Sequence, residues 1–223
     1  MARRQLKTWL AATLGVVALA TAPFLMYGYY LRREARTVLD DVSRLTSAPD
    51  RDAAYAVLRQ KYRDRLMPVE GCSANICSYQ VTVSNRLLAA LFRVPYTELN
   101  ARFDLRGKSV VLVMVDYRSA QSNQDSPVVH VQTDFCVDRC GNSDFFYVHP
   151  WKQSSTTERW NGIVEMGFAT DPELRQAALS LNPSCLTRIR GCTDIAQLLP
   201  LVWRTSDIGV LCVIANHEGQ ARP

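Results

Sequence analysis

The hydrophobic pattern divides this chain sharply. From Trp9 to Leu31 no charged side chain occurs, and the run stops at Arg32-Arg33-Glu34-Ala35-Arg36. As a helix rising ~1.5 Å per residue, Leu10 to Leu31 reaches roughly 33 Å, enough to cross a hydrocarbon core of about 30 Å. Trp9 stands at one end and Tyr27, Tyr29 and Tyr30 at the other, where amphipathic rings favour the headgroup region. Pro23 and Gly28 are tolerated in spanning helices. The pattern predicts a transmembrane anchor over residues 9–31, with residues 1–8 a basic lead on the cytoplasmic side.

A cleaved secretory leader is the competing reading. Arg3, Arg4 and Lys7 would form its basic region, Leu10 to Val17 its apolar region, and Ala18-Leu19-Ala20 its cleavage site. Cutting there would leave Phe24, Leu25, Met26 and the three tyrosines beside a new N-terminus with nothing to bury them. An uncut anchor accounts for them.

Beyond the run the period becomes amphipathic. Ala35, Val38, Leu39, Val42 and Leu45 recur at helical spacing, predicting a helical stem over residues 32–48 that stops at Ser47-Ala48-Pro49. Asp50 is placed to cap a second helix whose apolar face is Ala54, Val57, Leu58 and Tyr62, ending at Met67-Pro68.

After Cys72 the period changes to two. Tyr79, Val81 and Val83 predict a strand, and Asn85 opens a short apolar helix around Leu87, Leu88, Leu91 and Phe92. Phe103 and Leu105 lead through Gly107 to Val110–Val115, a second strand apolar on both faces and therefore central, because such an edge invites aggregation. Val129, Val131, Thr133 and Phe135 predict the next strand, with a turn at Cys136–Asn142 and a return at Phe145–Val148. Asn161-Gly162 reads as the tight turn of a hairpin joining Thr156–Trp160 to Ile163–Phe168. Asp171-Pro172-Glu173 starts a helix with Leu174, Ala177, Ala178 and Leu181 on one face, ended by Asn182-Pro183. Ile208–Ile214 reads as a last strand. The fold class is α+β: an N-terminal transmembrane helix, an amphipathic helix pair, a mostly antiparallel sheet, one further helix and a C-terminal strand. Residues 49–217 form the extracytoplasmic domain and 218–223 a flexible tail.

Charge sharpens the division. The chain holds 26 Lys+Arg and 21 Asp+Glu, a net of +5. Residues 1–36 carry six bases and one acid, so the remainder is formally neutral. That removes the electrostatic case for nucleic-acid binding. Arg32, Arg33 and Arg36 are instead placed to meet lipid phosphates.

All seven cysteines lie beyond the apolar run: Cys72, Cys77, Cys136, Cys140, Cys185, Cys192 and Cys212. Six form three close pairs in Gly/Asn/Ser-bearing loops, the spacing of disulfides that staple turns. A leader-type segment points to an oxidising compartment, which sets the topology with the domain outside the cytoplasm. The rival is a thiolate zinc site from Cys72, Cys77, Cys136 and Cys140, but no C-x2-C knuckle occurs. Cys212 alternates with Val210 and Ile214, as a buried thiol or a link to a second chain.

Catalytic chemistry has no signature. The motifs G-x-S-x-G, G-x-x-x-x-G-K, H-E-x-x-H and G-x-G-x-x-G are absent. His130, His149 and His217 lack ligand spacing, His149-Pro150-Trp151 reads as a strand exit, and Asp116, Asp134, Asp138 and Asp144 read as solvated loop acids. The one catalytic constellation available is His130 with Asp134 and Asp116. Ser154–Thr157 is a polar patch, and Tyr147, Trp151, Trp160 and Trp203 are core or groove aromatics. No cofactor, metal or catalytic residue is expected.

The order helix, helix, Cys72-bounded loop, strands over residues 35–120 resembles the ααβββ plan of small outer-membrane-assembly lipoproteins and β-lactamase-inhibitor-type modules. The lipid-attachment cysteine of the former is absent. The resemblance implies a binding module. The expected protein is a single-pass envelope protein, binding or structural, whose partners are the bilayer through residues 9–31 and a further envelope protein. The alternative is a membrane-tethered hydrolase with a site near His130.

Overall fold

The computed structural model describes residues 2–69, 76–120, 128–135, 146–152, 160–189, 191–192 and 194–202. The apolar run and the amphipathic stem are one element: α1 (Ala2–Ser47), a 46-residue helix that continues through Pro23. Its first part is long and apolar enough to cross a membrane. Its last part is core. Ala35, Val38, Leu39, Val42 and Leu45, the predicted stripe, are all buried. Burial begins earlier than the charge boundary, however. Leu31 and Gly28 are buried, and Phe24 and Tyr27 pack against the same cluster, so the domain takes hold of α1 within the apolar run.

The chain then turns back into α2 (Arg51–Lys61), whose N-terminus is capped by Asp50 accepting from the Ala53 amide at 3.0 Å. Its buried face is Tyr55, Leu58 and the following Tyr62; Val57, expected there, points to solvent at 68% exposure. The 3.6-residue period allows either phase, and here Tyr55 turns its ring to Phe103 of the sheet while Tyr62 turns its hydroxyl to α1. Polar pairs close the α1–α2 seam: Asp41 accepts from Lys61 Nζ at 2.5 Å and Tyr62 Oη at 2.7 Å, and Arg65 pairs with Glu34.

Among the described residues the sheet has seven strands: β1 (Met67–Pro68), β2 (Ile76–Ser84), β3 (Tyr96–Arg106), β4 (Ser109–Ala120), β5 (Val128–Asp134), β6 (Phe146–Lys152) and β7 (Trp160–Gly167), in spatial order β1-β2-β3-β4-β5-β7-β6. β4 is central, as its apolar composition requires. A short helix, α3 (Arg86–Phe92), bridges β2 to β3, so the ααβββ order of residues 35–120 is interrupted. Asn85 does not cap α3 with its side chain. It is fully buried and clamps the crossover, donating to Pro95 O at 3.0 Å and accepting from the Thr97 amide at 2.8 Å.

The second half departs from the sequence reading. Asn161 and Gly162 are not a turn; they lie inside β7, which pairs parallel to β5 and antiparallel to β6. β6 is therefore not the hairpin return of β5. It is an edge strand, and it contains His149 and Pro150 rather than ending at them. Proline lacks the amide a central strand needs, which suits that edge. The hairpin motif fails because non-local pairing with β5 outweighs a local turn preference.

α4 (Pro172–Leu179) begins as predicted, with Asp171 accepting from the Glu173 amide at 2.7 Å. A 3-10 turn (Pro183–Leu186) and α5 (Ile195–Leu198) follow. Cys185 and Cys192 form a buried disulfide, the local pairing expected of them. The 3-10 turn is held to the sheet by Thr97 and Tyr117, whose hydroxyls donate to Leu186 O and Cys185 O, both at 3.4 Å. Helices and turns thus cover one face of the sheet, where Val81, Val83, Leu99, Phe103, Val113, Val115, Tyr117, Val129, Val131 and Val164 are buried. Arg175 fastens the far end of α1, donating to the carbonyls of Thr46, Phe168 (2.7 Å) and Thr170 (3.1 Å). Burial, and then the nearby Arg51 charge, lowers its pKa.

Candidate functional site

Two places concentrate unused polar groups. The first is the sheet face opposite the helices. Strand alternation sends Thr82, Asn100, Asp116 and His130 there, and the registers align them in one row across β2, β3, β4 and β5. Asp116 is buried in a strand and is not a solvated loop acid; His130 Nδ1 meets its Oδ1 at 2.5 Å. Thr82 Oγ1 donates to Asn100 Oδ1 at 2.6 Å, and Asn100 Nδ2 to Glu98 Oε1 at 3.2 Å.

The sequence reading grouped His130 with Asp134 as well. The register separates them: Asp134 lies opposite Leu112 and Gly167, four residues along β5. The other cross-strand neighbour of His130 is Ile163, and the diagonal ones are Met114, Arg118, Asn161 and Glu165. None of these is a Ser, Thr or Cys, so this row offers a histidine oriented by a carboxylate and no adjacent hydroxyl or thiol nucleophile. Among the described residues, no group of three or more His, Cys, Asp or Glu gathers to hold a metal.

The second place is a cavity of about 620 Å³ between α2 and the β2–β3–β4 end of the sheet. Tyr55, Ala56, Cys77, Tyr79 and Leu105 give it apolar walls, and Arg59, Arg63 and Lys108 stand around it. Asp52 also faces it, but its two oxygens already accept from Ser109 Oγ and the Val110 amide, each at 3.1 Å. Arg59, Arg63 and Lys108 form no ion pair with a carboxylate among the described residues. Tyr55 is buried, its ring 5.7 Å from that of Phe103, and its hydroxyl has no hydrogen-bond partner among the described residues. Desolvation pushes its pKa up to about 12, against the opposing influence of Arg59. A buried hydroxyl without a described partner beside a cavity is a polar group that a ligand or an ordered water can satisfy.

Cys77 is half-buried on β2 and lines this cavity. Cys72, Cys136, Cys140 and Cys212 lie outside the described residues, as do His217, Trp203, Ser154–Thr157, Asp138 and Asp144. The side chains of Tyr147, His149, Trp151 and Trp160 also lie outside them. Sequence reasoning missed the cavity. Arg59 and Arg63 read as an ordinary solvated helix face, and nothing local places Lys108 from a β-turn beside them. No family model, no curated protein and no solved structure matches the chain.

Proposed function

We propose that this chain is a single-pass membrane protein, N-terminus in the cytoplasm, whose extracytoplasmic α+β domain is a binding module. The observation that carries the binding role is the cavity beside α2. Three cations without described partners stand over a floor of tyrosine and leucine, with the Tyr55 hydroxyl buried in the wall. That chemistry fits an anionic group on an apolar body, an aromatic or aliphatic carboxylate, sulfonate or phosphate carried by a small molecule or a partner's side chain. The anchor is supported by the apolar stretch of α1, and the oxidising compartment by the Cys185–Cys192 bridge.

The test uses 1-anilinonaphthalene-8-sulfonate, an aromatic sulfonate, with the full chain in lipid nanodiscs and empty discs as the blank. Saturable binding near one probe per chain, abolished by Ala56→Trp and weakened at least fivefold by the Arg59→Glu, Arg63→Glu pair, is the expected result. Ala56 is exposed on α2, so tryptophan there fills the cavity rather than the core. Binding indifferent to both variants removes this reading.

A tethered hydrolase is the second reading, favoured by the 2.5 Å His130–Asp116 contact. It requires an activity lost in His130→Gln with folding intact, and a hydrolase substrate panel that stays blank retires it.

A further inference from the structure

We infer that the membrane-near rim of the domain, α3 together with the loop after the 3-10 turn, sits in the headgroup and upper acyl layer of the bilayer. This rests on the anchor reading above. Phe24 is the first residue of α1 that the domain grips, its ring 4.6 Å from that of Phe92 at the end of α3 in an edge-to-face contact. From Trp9 to Phe24 the helix rises only ~22 Å, while the hydrocarbon core is about 30 Å thick. Tilting α1 shortens its reach further. With Trp9 at the inner interface, Phe92 therefore lies roughly 8 Å below the outer hydrocarbon boundary unless the bilayer thins.

The rim has the surface that position demands. α3 buries Leu88 against the core and leaves Leu87, Leu91 and Phe92 about half exposed. Leu87 and Leu91 are one turn apart on the same side. Ile189 is 80% exposed in the loop after the 3-10 turn, where Thr187 packs its methyl 3.6 Å from the position a Gly28 Cβ would take. The second outcrop thus meets α1 at Gly28, one turn or about 6 Å nearer the outer boundary than Phe24. Residues 86–95 and 182–193 hold four arginines (Arg86, Arg93, Arg188, Arg190) and no acid. Apolar tips in segments whose charged residues are all arginine match acyl chains below and lipid phosphates above. In water the same tips would be a standing liability.

The test places the photo-crosslinker p-benzoylphenylalanine at Leu91, at Leu25 in the exposed anchor, and at Lys108 in the β3–β4 turn, one position at a time. The full chain is reconstituted in nanodiscs of phosphatidylcholine and phosphatidylglycerol, and adducts are read by mass spectrometry. Lipid adducts at Leu25 and Leu91, with none at Lys108, are the expected pattern. Adducts at Leu25 alone overturn the seated rim while leaving the anchor standing. No adducts at Leu25 overturn the anchor and the seated rim together. An adduct at Leu91 to a second copy of the chain in place of lipid makes the rim a protein interface and also overturns the proposal.

Discussion

Single residues do work here that their types do not announce. Asn85 occupies the expected helix-start position, yet its side chain fixes the β2–β3 crossover from a fully buried site. Asn85→Ala strands the Thr97 amide and Pro95 carbonyl, so it is expected to cost about 1–3 kcal/mol. Thermal melting in detergent checks this, and a variant as stable as the parent contradicts the clamp. Tyr55 should behave oppositely. Its hydroxyl has no partner to lose among the described residues, so Tyr55→Phe leaves stability at pH 7 nearly unchanged while weakening sulfonate binding at the cavity. Alkali gives a second handle. Burial raises the pKa of Tyr55 to about 12, and raises Tyr62 and Tyr117 as well, helped at Tyr62 by its bond to Asp41. The unfolded chain releases these protons near pH 10 while the folded one keeps them. Their contribution is therefore complete below pH 10 and lost as pH climbs toward the folded values. Each group adds a slope of up to about 1.4 kcal/mol per pH unit. Denaturation midpoints between pH 9 and 11.5 should fall, and Tyr55→Phe should flatten the fall.

Elements were legible where local physics decides them. The caps Asp50 and Asp171, the α1 stripe from Ala35 to Leu45 and the central place of β4 follow from short-range pattern, and the structure has them. The β5-β7-β6 order was not legible, because a parallel pairing across some 30 residues outweighs the turn preference of Asn161-Gly162. The site failed for the same reason. His130 and Asp116 were recognisable as chemistry, but only the β4–β5 register chooses Asp116 over Asp134. The cavity needed α2 and the β3–β4 turn brought together. The Cys185–Cys192 staple was readable from spacing, and its removal is measurable. Cys185→Ala with Cys192→Ala should cost about 2–3 kcal/mol on the loop-entropy account. An unchanged melting temperature, with or without reductant, would show the bridge to be dispensable.

At the scale of the whole molecule, one helix carries two kinds of surface. Its first part presents apolar side chains outward: Leu14, Val16, Val17, Leu19, Leu25 and Met26 are all more than half exposed. Its second part is the spine of the domain. That continuity refines the argument against a cleaved leader. Phe24 and Tyr27 are partly covered by the domain, whereas Leu25, Met26, Tyr29 and Tyr30 are not, and a chain beginning at Thr21 would offer those four to water. It also makes the domain's orientation a property of the helix rather than of a flexible tether, because α1 runs unbroken from its exposed apolar turns to its core-facing turns.

The measurement that reaches this account most directly is the intact mass of the protein recovered from carbonate-washed membranes, alkylated before any reduction. The account predicts a chain that retains Trp9 and the whole apolar run, with Cys185 and Cys192 unmodified and joined. A species beginning near Thr21 in the soluble fraction, or one alkylated at both of those cysteines, would contradict it.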